Sequence, residues 1–178
     1  MKNVLDIYLK ENGTNRNQLA EKSKISGKEL KKLTRKDPEN YSADIMIAIS
    51  QEVGITPGHI LDRMLVIRNS DILYHATTID ELIEKVEEQE DEFILDGSFT
   101  QFVNKTKNIM DFEDKAVRGN PIYPGYATGN SFLYQFLKKL TSKDDKEMQK
   151  LEQKILDNYK MKILNDHQTL FRNKILDY

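Results

Sequence analysis

The sequence predicts a mainly α-helical protein with two domains. The first, residues 1–68, is expected to hold five short helices, and the second, residues 69–178, to be mostly helical with a long C-terminal helix. Apolar residues recur at helical spacing in five segments of the first part, and residues that favour helix starts and ends lie between them. From Ser142 a helical pattern continues nearly to the end, with neither proline nor glycine after Gly129.

Charge is separated along the chain although the net charge is only −2. Between Lys22 and Lys36 there are seven cations and one anion, whereas between Asp80 and Asp96 there are nine anions and one cation. Because local charge decides contact, the two regions are expected to have different partners.

The composition excludes several classes of protein. Cysteine is absent, which rules out disulfides, thiolate metal sites and a cysteine nucleophile. Charged residues interrupt the N-terminus, so we expect no signal peptide. The longest apolar runs are too short to span a bilayer. These features predict a cytoplasmic protein without membrane contact.

No pattern typical of a catalytic or metal site stands out. His59, His75 and His167 are far apart and fit no metal-ligand spacing. The stretch Leu73–Thr77 resembles the Tyr-His-x-Thr strand with which some ADP-ribosyltransferase-like proteins hold nicotinamide dinucleotide, but no segment supplies the catalytic glutamate. We therefore predict no enzymatic activity, no cofactor, no catalytic residue and no metal.

The first four helices follow from spacing and cap residues. Residues 2–12 form the first, which Gly13 closes, and the second begins at Thr14 or Asn15. Ser26 caps the third. The turn at residues 37–40 precedes a fourth helix, which starts at Ser42 or Asp44 and stops at Gly54.

Thr56 and Pro57 open the fifth helix. Residues expected to face the core of the five helices are Val4, Leu5, Tyr8, Leu9, Leu19, Ala20, Leu30, Leu33, Ile45, Ile49, Val53, Ile60, Leu61, Met64 and Leu65.

The third helix has a cationic face. At about 100° per residue, its lysines and Arg35 share one arc, while Leu30 and Leu33 point almost the opposite way. A short helix with an apolar back and a cationic front suits the DNA major groove.

The order and spacing of these segments resemble the Cro/C1-type (Xre-like) helix-turn-helix family, which has the lambda-repressor-like fold. The matching residues are Asn15–Ser23, then Lys24-Ile25-Ser26, then Leu30 and Leu33, with the later helices matched from Ile45 to Leu61. The resemblance covers roughly the first third of the chain. It implies binding to double-stranded DNA, usually by dimers on paired half-sites.

The resemblance also implies a set of DNA-binding residues. Ser26 is the turn residue before the recognition helix, and the outward positions that reach base edges are Gly27, Lys28, Lys31 and Lys32. Arg16 occupies a position that touches phosphate or a base beside it, and with Lys31, Arg35 and Lys36 it would bind mainly phosphate. Gly27 has no side chain for reading bases, and the helix lacks Asn and Gln, the usual adenine readers, so modest sequence discrimination is expected.

Most of the second domain is read as helices with one irregular loop. Ile72–Thr77 is a short strand or the end of a linker, and Thr78 caps an acidic helix over residues 78–93. Further helices are predicted at residues 98–112 and 131–141. Residues 119–130 form a loop between them, which is either structural or a small-molecule or peptide pocket with Arg118 as anion-binding candidate.

The C-terminal stripe has two interpretations. It comprises Leu151, Ile155, Leu156, Tyr159, Ile163, Leu170 and Phe171, with an interruption near residues 165–168. We expect it to form a homodimer contact, and an intramolecular core is the alternative.

Two functions follow as hypotheses. The first is a sequence-specific transcriptional regulator, most simply a repressor acting as a dimer on an inverted repeat. The alternative is an antitoxin or mobile-element protein whose second domain binds and inhibits a protein, while the first domain regulates its own operon. The acidic helix fits a basic partner under this alternative, and otherwise it is a solvated face.

Overall fold

A computed structural model describes residues 2–97, 145–165 and 167–177. The chain divides into two compact units, Met1–Tyr74 and His75–Tyr178. The division falls after the end of the fifth helix, and the domain boundary between residues 68 and 69 stays a prediction. The predicted helices at 98–112 and 131–141, the loop at 119–130 and Arg118 lie outside the described residues.

The first unit contains the five predicted helices. A single turn of 3-10 helix, Pro38–Asn40, stands where the turn at residues 37–40 was expected. The helices are α1 (Val4–Glu11), α2 (Arg16–Lys22), α3 (Gly27–Leu33), α4 (Ala43–Val53) and α5 (Pro57–Arg68).

Cap residues explain where these helices begin and end. Side-chain oxygens of Asn15, Ser26 and Ser42 each accept a hydrogen bond from the backbone amide three residues later, which satisfies a donor that the helix leaves unpaired. Asn15 therefore caps α2, and Thr14 does not. Gly54 ends α4 with a φ of 72°, a left-handed conformation that glycine adopts without a steric penalty.

The core of the first unit lies where helix periodicity predicts it. Ala20, Val53, Leu61 and Leu65 are only half-buried, whereas Met46 and Ile67 are among the buried residues that were not predicted. Fully covered apolar side chains from all five helices meet there: Leu5, Leu9, Leu19, Leu30, Ile49, Ile60, Met64 and Ile67. Their burial supplies most of the driving force for folding this unit.

The second unit is not mostly helical in its described part. It contains a four-stranded sheet with strand order β1-β2-β4-β3. β2 pairs with β4, and β3 with β4, in antiparallel fashion. In chain order the elements are β1 (Tyr74–Ala76), α6 (Ile79–Glu87), β2 (Glu92–Asp96), α7 (Asp145–Asn158), β3 (Tyr159–Asn165), β4 (Gln168–Asn173) and a final 3-10 turn (Lys174–Asp177).

The predicted long C-terminal helix is wrong beyond Asn158, where α7 ends and β3 begins. The predicted interruption falls where β3 ends at Asn165 and β4 begins at Gln168, and there the Asn165 side chain accepts a hydrogen bond from the amide of His167 at 2.9 Å. In β4 the buried positions alternate with less buried ones, as a strand with one covered face requires. The acidic helix also ends earlier than predicted, because residues 92–96 form β2.

Three aromatic rings from three strands form the centre of this sheet. The ring centroid of Phe93 lies 4.9 Å from that of Phe171 in a stacked arrangement and 5.6 Å from that of Tyr159 in an edge arrangement. All three side chains are at most 3% exposed. Tyr159 and Phe171 belong to the stripe expected to form a dimer contact, and the structure places them inside the chain's own core instead.

None of the described helices could cross a membrane. The longest, α7, has 14 residues, whereas a membrane-spanning helix needs about 20 apolar ones. Charged residues also recur throughout α7.

Two buried tyrosines of the first unit yield a prediction about stability. The Tyr8 hydroxyl is buried and has no hydrogen-bond partner among the described residues, whereas the Tyr41 hydroxyl donates to the Leu33 carbonyl at 3.1 Å. An unpaired buried hydroxyl costs about 1–3 kcal/mol, so Tyr8→Phe should leave the free energy of unfolding unchanged or raise it by about 1 kcal/mol.

Urea denaturation followed by circular dichroism measures this difference, and Tyr41→Phe is the matched comparison. That variant removes a hydrogen bond and should lower the free energy of unfolding by about 1 kcal/mol. A decrease of similar size for Tyr8→Phe would show that its hydroxyl has a partner.

Candidate nucleic-acid interface

The pair α2–α3 forms a helix-turn-helix, and α3 has one apolar face and one cationic face. Leu30 and Leu33 are 0% and 5% exposed and hold α3 against the first unit. Lys28, Lys31 and Lys32 are exposed on the other side, as the spacing predicted. The amphipathic arrangement of α3 is therefore present in the structure.

Ser26 and Gly27 start this helix. Ser26 is exposed, and its hydroxyl oxygen accepts a hydrogen bond from the amide of Glu29 at 3.2 Å. Gly27 is also exposed, and a Cβ added to it would meet nothing within 4 Å. The first turn of α3 therefore has open space beside Gly27, the residue that was expected to contribute no side chain to base reading.

Basic residues of the first unit fall into two groups. Outside α3 and the loop that follows it, four of them are ion-paired within the unit: Arg16 with Asp6, Lys22 with Glu52, Arg63 with Glu11, and Arg68 with Asp37. In the second group Lys28, Lys32 and Lys36 form no ion pair with any described residue, and Arg35 and Lys36 are exposed beside them. Exposed positive charge is therefore concentrated on α3 and the residues just after it, with Lys24 in the turn before α3.

Arg16 differs from the expectation that it binds phosphate. It is 8% exposed, and its Nε lies 2.9 Å from Oδ1 of Asp6, which is 6% exposed. The Asn3 amide nitrogen donates to the other oxygen of Asp6 at 2.7 Å. Arg16 therefore joins α2 to α1, since a buried carboxylate needs a charged or hydrogen-bonding partner. The sequence signal was Asp6 itself, a carboxylate within the apolar face of α1.

A second polar contact attaches α2 to α4. The Lys22 ammonium and the Thr14 hydroxyl both donate to Oε1 of Glu52, each at 2.9 Å. The hydrogen bond from Lys22, and then that from Thr14, holds the pKa of Glu52 below its usual value. These contacts were not predicted from the sequence, because Glu52 lies 38 residues after Thr14 and 30 residues after Lys22.

The acidic run of the second unit is largely engaged in its own fold. Glu81 completes a capping box with Thr78 at the start of α6, and Glu88 and Glu90 are buried. Glu92 lies 3.5 Å from Arg172 on the neighbouring strand. Asp96 lies 2.6 Å from the Nδ1 of His75. These residues therefore do not form a continuous acidic surface for a basic partner.

A helix-turn-helix with an exposed cationic second helix is a DNA-binding architecture. Residues 4–64 match the family model of the Cro/C1-type HTH DNA-binding domain. The match begins with α1 and ends within α5, and the remainder of the chain is not recognised. No curated protein matches the chain. This domain supports a role as a DNA-binding transcriptional regulator.

The lowered pKa of Glu52 generates a pH prediction. Its folded-state pKa lies below the unfolded value of about 4.3, so the ionised carboxylate stabilises the protein above that pH, and this stabilisation disappears as the pH falls through the folded-state pKa. Glu52→Gln should therefore melt at a lower temperature than the wild type at pH 7, and the difference should close towards about pH 3.

Thermal melts between these pH values measure the effect. Glu21→Gln is the control, because Glu21 is an exposed carboxylate on α2 with no ion pair to a described residue. Its melting temperature should follow that of the wild type throughout. A constant difference for Glu52→Gln across the range would contradict a role of the ionised carboxylate.

Proposed function

We propose that this protein is a sequence-specific DNA-binding transcriptional regulator, a repressor that acts as a dimer on an inverted-repeat operator. The observation that carries the proposal is the division of basic residues in the first unit. Four basic residues elsewhere in the unit are ion-paired with internal carboxylates, whereas exposed cations collect on α3 and its following loop. DNA phosphates are the counterpart of such a surface.

The exposed side chains would divide the work of binding. Lys28 and Lys32, on the outward arc of α3, would reach base edges or nearby phosphates. Lys31, Arg35 and Lys36 would bind phosphate, and Ser26 and Gly27 would let the start of the helix approach the groove. Lysines contact guanine and phosphate alike, which favours firm binding with modest sequence discrimination.

Arg16 has a different part in this proposal. Its guanidinium lies against Asp6 in the interior. It would contribute to DNA binding by holding α2 at a fixed position on α1. Removing it would take away the cation beside the buried carboxylate of Asp6, and breaking a buried ion pair in this way destabilises a fold by about 3–5 kcal/mol.

The dimer rests on the usual pairing of helix-turn-helix domains with half-sites about one DNA turn apart. The C-terminal stripe does not support it, because Leu151, Ile155, Tyr159 and Phe171 are at most 4% exposed within the chain. Binding stoichiometry on a duplex with one half-site, compared with a duplex carrying the inverted repeat, distinguishes a monomer from a dimer. Selection of bound duplexes from random sequence supplies the operator for that measurement.

Replacing Lys28 and Lys32 together with alanine tests the recognition surface. Each phosphate contact adds about 0.9 to the slope of log affinity against log salt, so the double variant should lose specific binding and up to about two units of slope. Fluorescence anisotropy with the selected duplex at several salt concentrations measures both quantities. The fold and oligomeric state should not change, because both side chains are exposed.

The chain offers a matched control. Lys150 and Lys154 on α7 are exposed and have the same four-residue spacing on a helix. Their double alanine variant should bind like the wild type. If Lys28→Ala/Lys32→Ala kept its operator affinity within about twofold, α3 would not be the recognition helix.

A second candidate function is that of an antitoxin or mobile-element protein whose second unit binds and inhibits a protein partner. Its support is a separate compact unit with a sheet and an aromatic core of its own, which a simple dimerisation helix does not need. The full-length protein, loaded with operator DNA to occupy α3, should then capture from its source cells a protein that the operator DNA alone does not capture. Capture of no such protein would contradict this alternative.

A further inference from the structure

The C-terminal end of α3 lacks the usual means of closing a helix. α3 has seven residues, and its cap residue, Thr34, has right-handed dihedrals (φ −60°, ψ −21°). Helices commonly end at a glycine in the left-handed conformation, which satisfies their last carbonyl groups. Neither Thr34 nor the following Arg35 has that conformation. The Thr34 hydroxyl donates to the Lys31 carbonyl at 2.8 Å, and the carbonyl of Leu33 is satisfied by another residue.

Tyr41 supplies part of the closure from eight residues further along the chain. Its hydroxyl donates a hydrogen bond to the carbonyl of Leu33, the last residue of α3, at 3.1 Å. Its side chain is buried, and burial, followed by the charges of Asp6 and Asp37, raises the pKa of the hydroxyl. The hydroxyl therefore remains protonated and able to donate throughout the physiological range.

The loop between α3 and Tyr41 has a second attachment. Nη1 of Arg68, the last residue of α5, lies 2.7 Å from both carboxylate oxygens of Asp37. The hydrogen bond from Arg68 is the main cause that holds the pKa of Asp37 below its usual value. The same carboxylate accepts from the amide of Glu39 and so begins the 3-10 turn. Because this ion pair is partly exposed, we expect it to stabilise the loop less than the hydrogen bond from Tyr41 does.

These attachments enclose two of the exposed cations. Arg35 and Lys36 lie between Leu33, which Tyr41 holds, and Asp37, which Arg68 holds. The amide of Lys36 also donates to the Leu33 carbonyl at 3.0 Å, so both bonds meet at one oxygen. The orientation of Arg35 and Lys36 relative to α3 therefore depends on the hydrogen bonds to that carbonyl.

We propose that Tyr41 is a positioning residue for DNA binding, which fixes Arg35 and Lys36 against the phosphates through its hydrogen bond to Leu33. The inference rests on the proposed function, because it concerns the same surface. Tyr41 itself touches no DNA. It acts by restricting the conformations of residues 34–37 before DNA binds, so that less conformational entropy is lost on binding.

Tyr41→Phe in the full-length protein tests this role. The variant keeps the ring in the core and removes only the hydrogen bond. With the selected duplex, its salt slope should fall by about one to two units, and its dissociation constant should rise roughly tenfold at 0.1 M salt for each phosphate that is no longer bound. A merely structural role would lower the melting temperature and leave the slope unchanged. All titrations are made below the temperature at which circular dichroism detects unfolding.

Two further variants complete the experiment. Tyr8→Phe removes the hydroxyl of another buried tyrosine, one with no partner among the residues described, and should leave slope and affinity unchanged. Arg68→Gln weakens the other end of the loop and should lower the slope in the same direction as Tyr41→Phe. It carries the test if Tyr41→Phe fails to fold.

The outcomes separate the inference from the function it rests on. If the wild type binds the selected duplex and both folded variants keep its salt slope, Tyr41 does not position the cations. If the wild type enriches no duplex and shows no salt-dependent binding, the proposed function itself has failed. A lowered slope for Tyr41→Phe and Arg68→Gln, with the wild-type slope for Tyr8→Phe, supports the positioning role.

Discussion

The first unit depends on how a two-turn helix is held in place. An isolated helix of seven residues is not stable in water, because its few hydrogen bonds do not repay the cost of nucleation. α3 therefore takes its position from the burial of Leu30 and Leu33 and from the hydrogen bond that Tyr41 donates to its last carbonyl. Every proposed contact with DNA is made by side chains on this helix or directly after it. The order of the interface therefore depends on these attachments.

The same unit uses its other charges to hold the helices that surround α3. Asp6 and Arg16 join α1 to α2 in the interior, and Glu52 accepts from Lys22 and Thr14 to join α2 to α4. Internal pairing has an electrostatic consequence as well as a structural one. It neutralises basic side chains around the helix-turn-helix, so the remaining positive field lies on the surface proposed to meet phosphate.

The second unit shows why periodicity misled the prediction of the C-terminal segment. Tyr159 and Ile163 are four residues apart and share a face in a helix, but with Met161 between them they also fit the two-residue repeat of a strand. No proline or glycine marks the end of α7. The deciding contact is Phe93 against Tyr159 and Phe171, which brings together residues far apart in the sequence. Local pattern contains no information about such a pairing, so the choice between helix and strand fell to the tertiary structure.

The sequence by itself determined the five helices of the first unit, the Ser26 cap of α3 and the two faces of α3, because these features follow from residue spacing and from hydrogen bonds between near neighbours. It also located the exposed cations proposed as contacts and the glycine, Gly27, that lies at the start of the same helix. Only the tertiary structure decided that Arg16 is turned inward to Asp6 and that Tyr41 closes α3. Both contacts bridge separate elements. A polar side chain therefore has its role set by what folding brings beside it, and its neighbours in the chain do not reveal that partner.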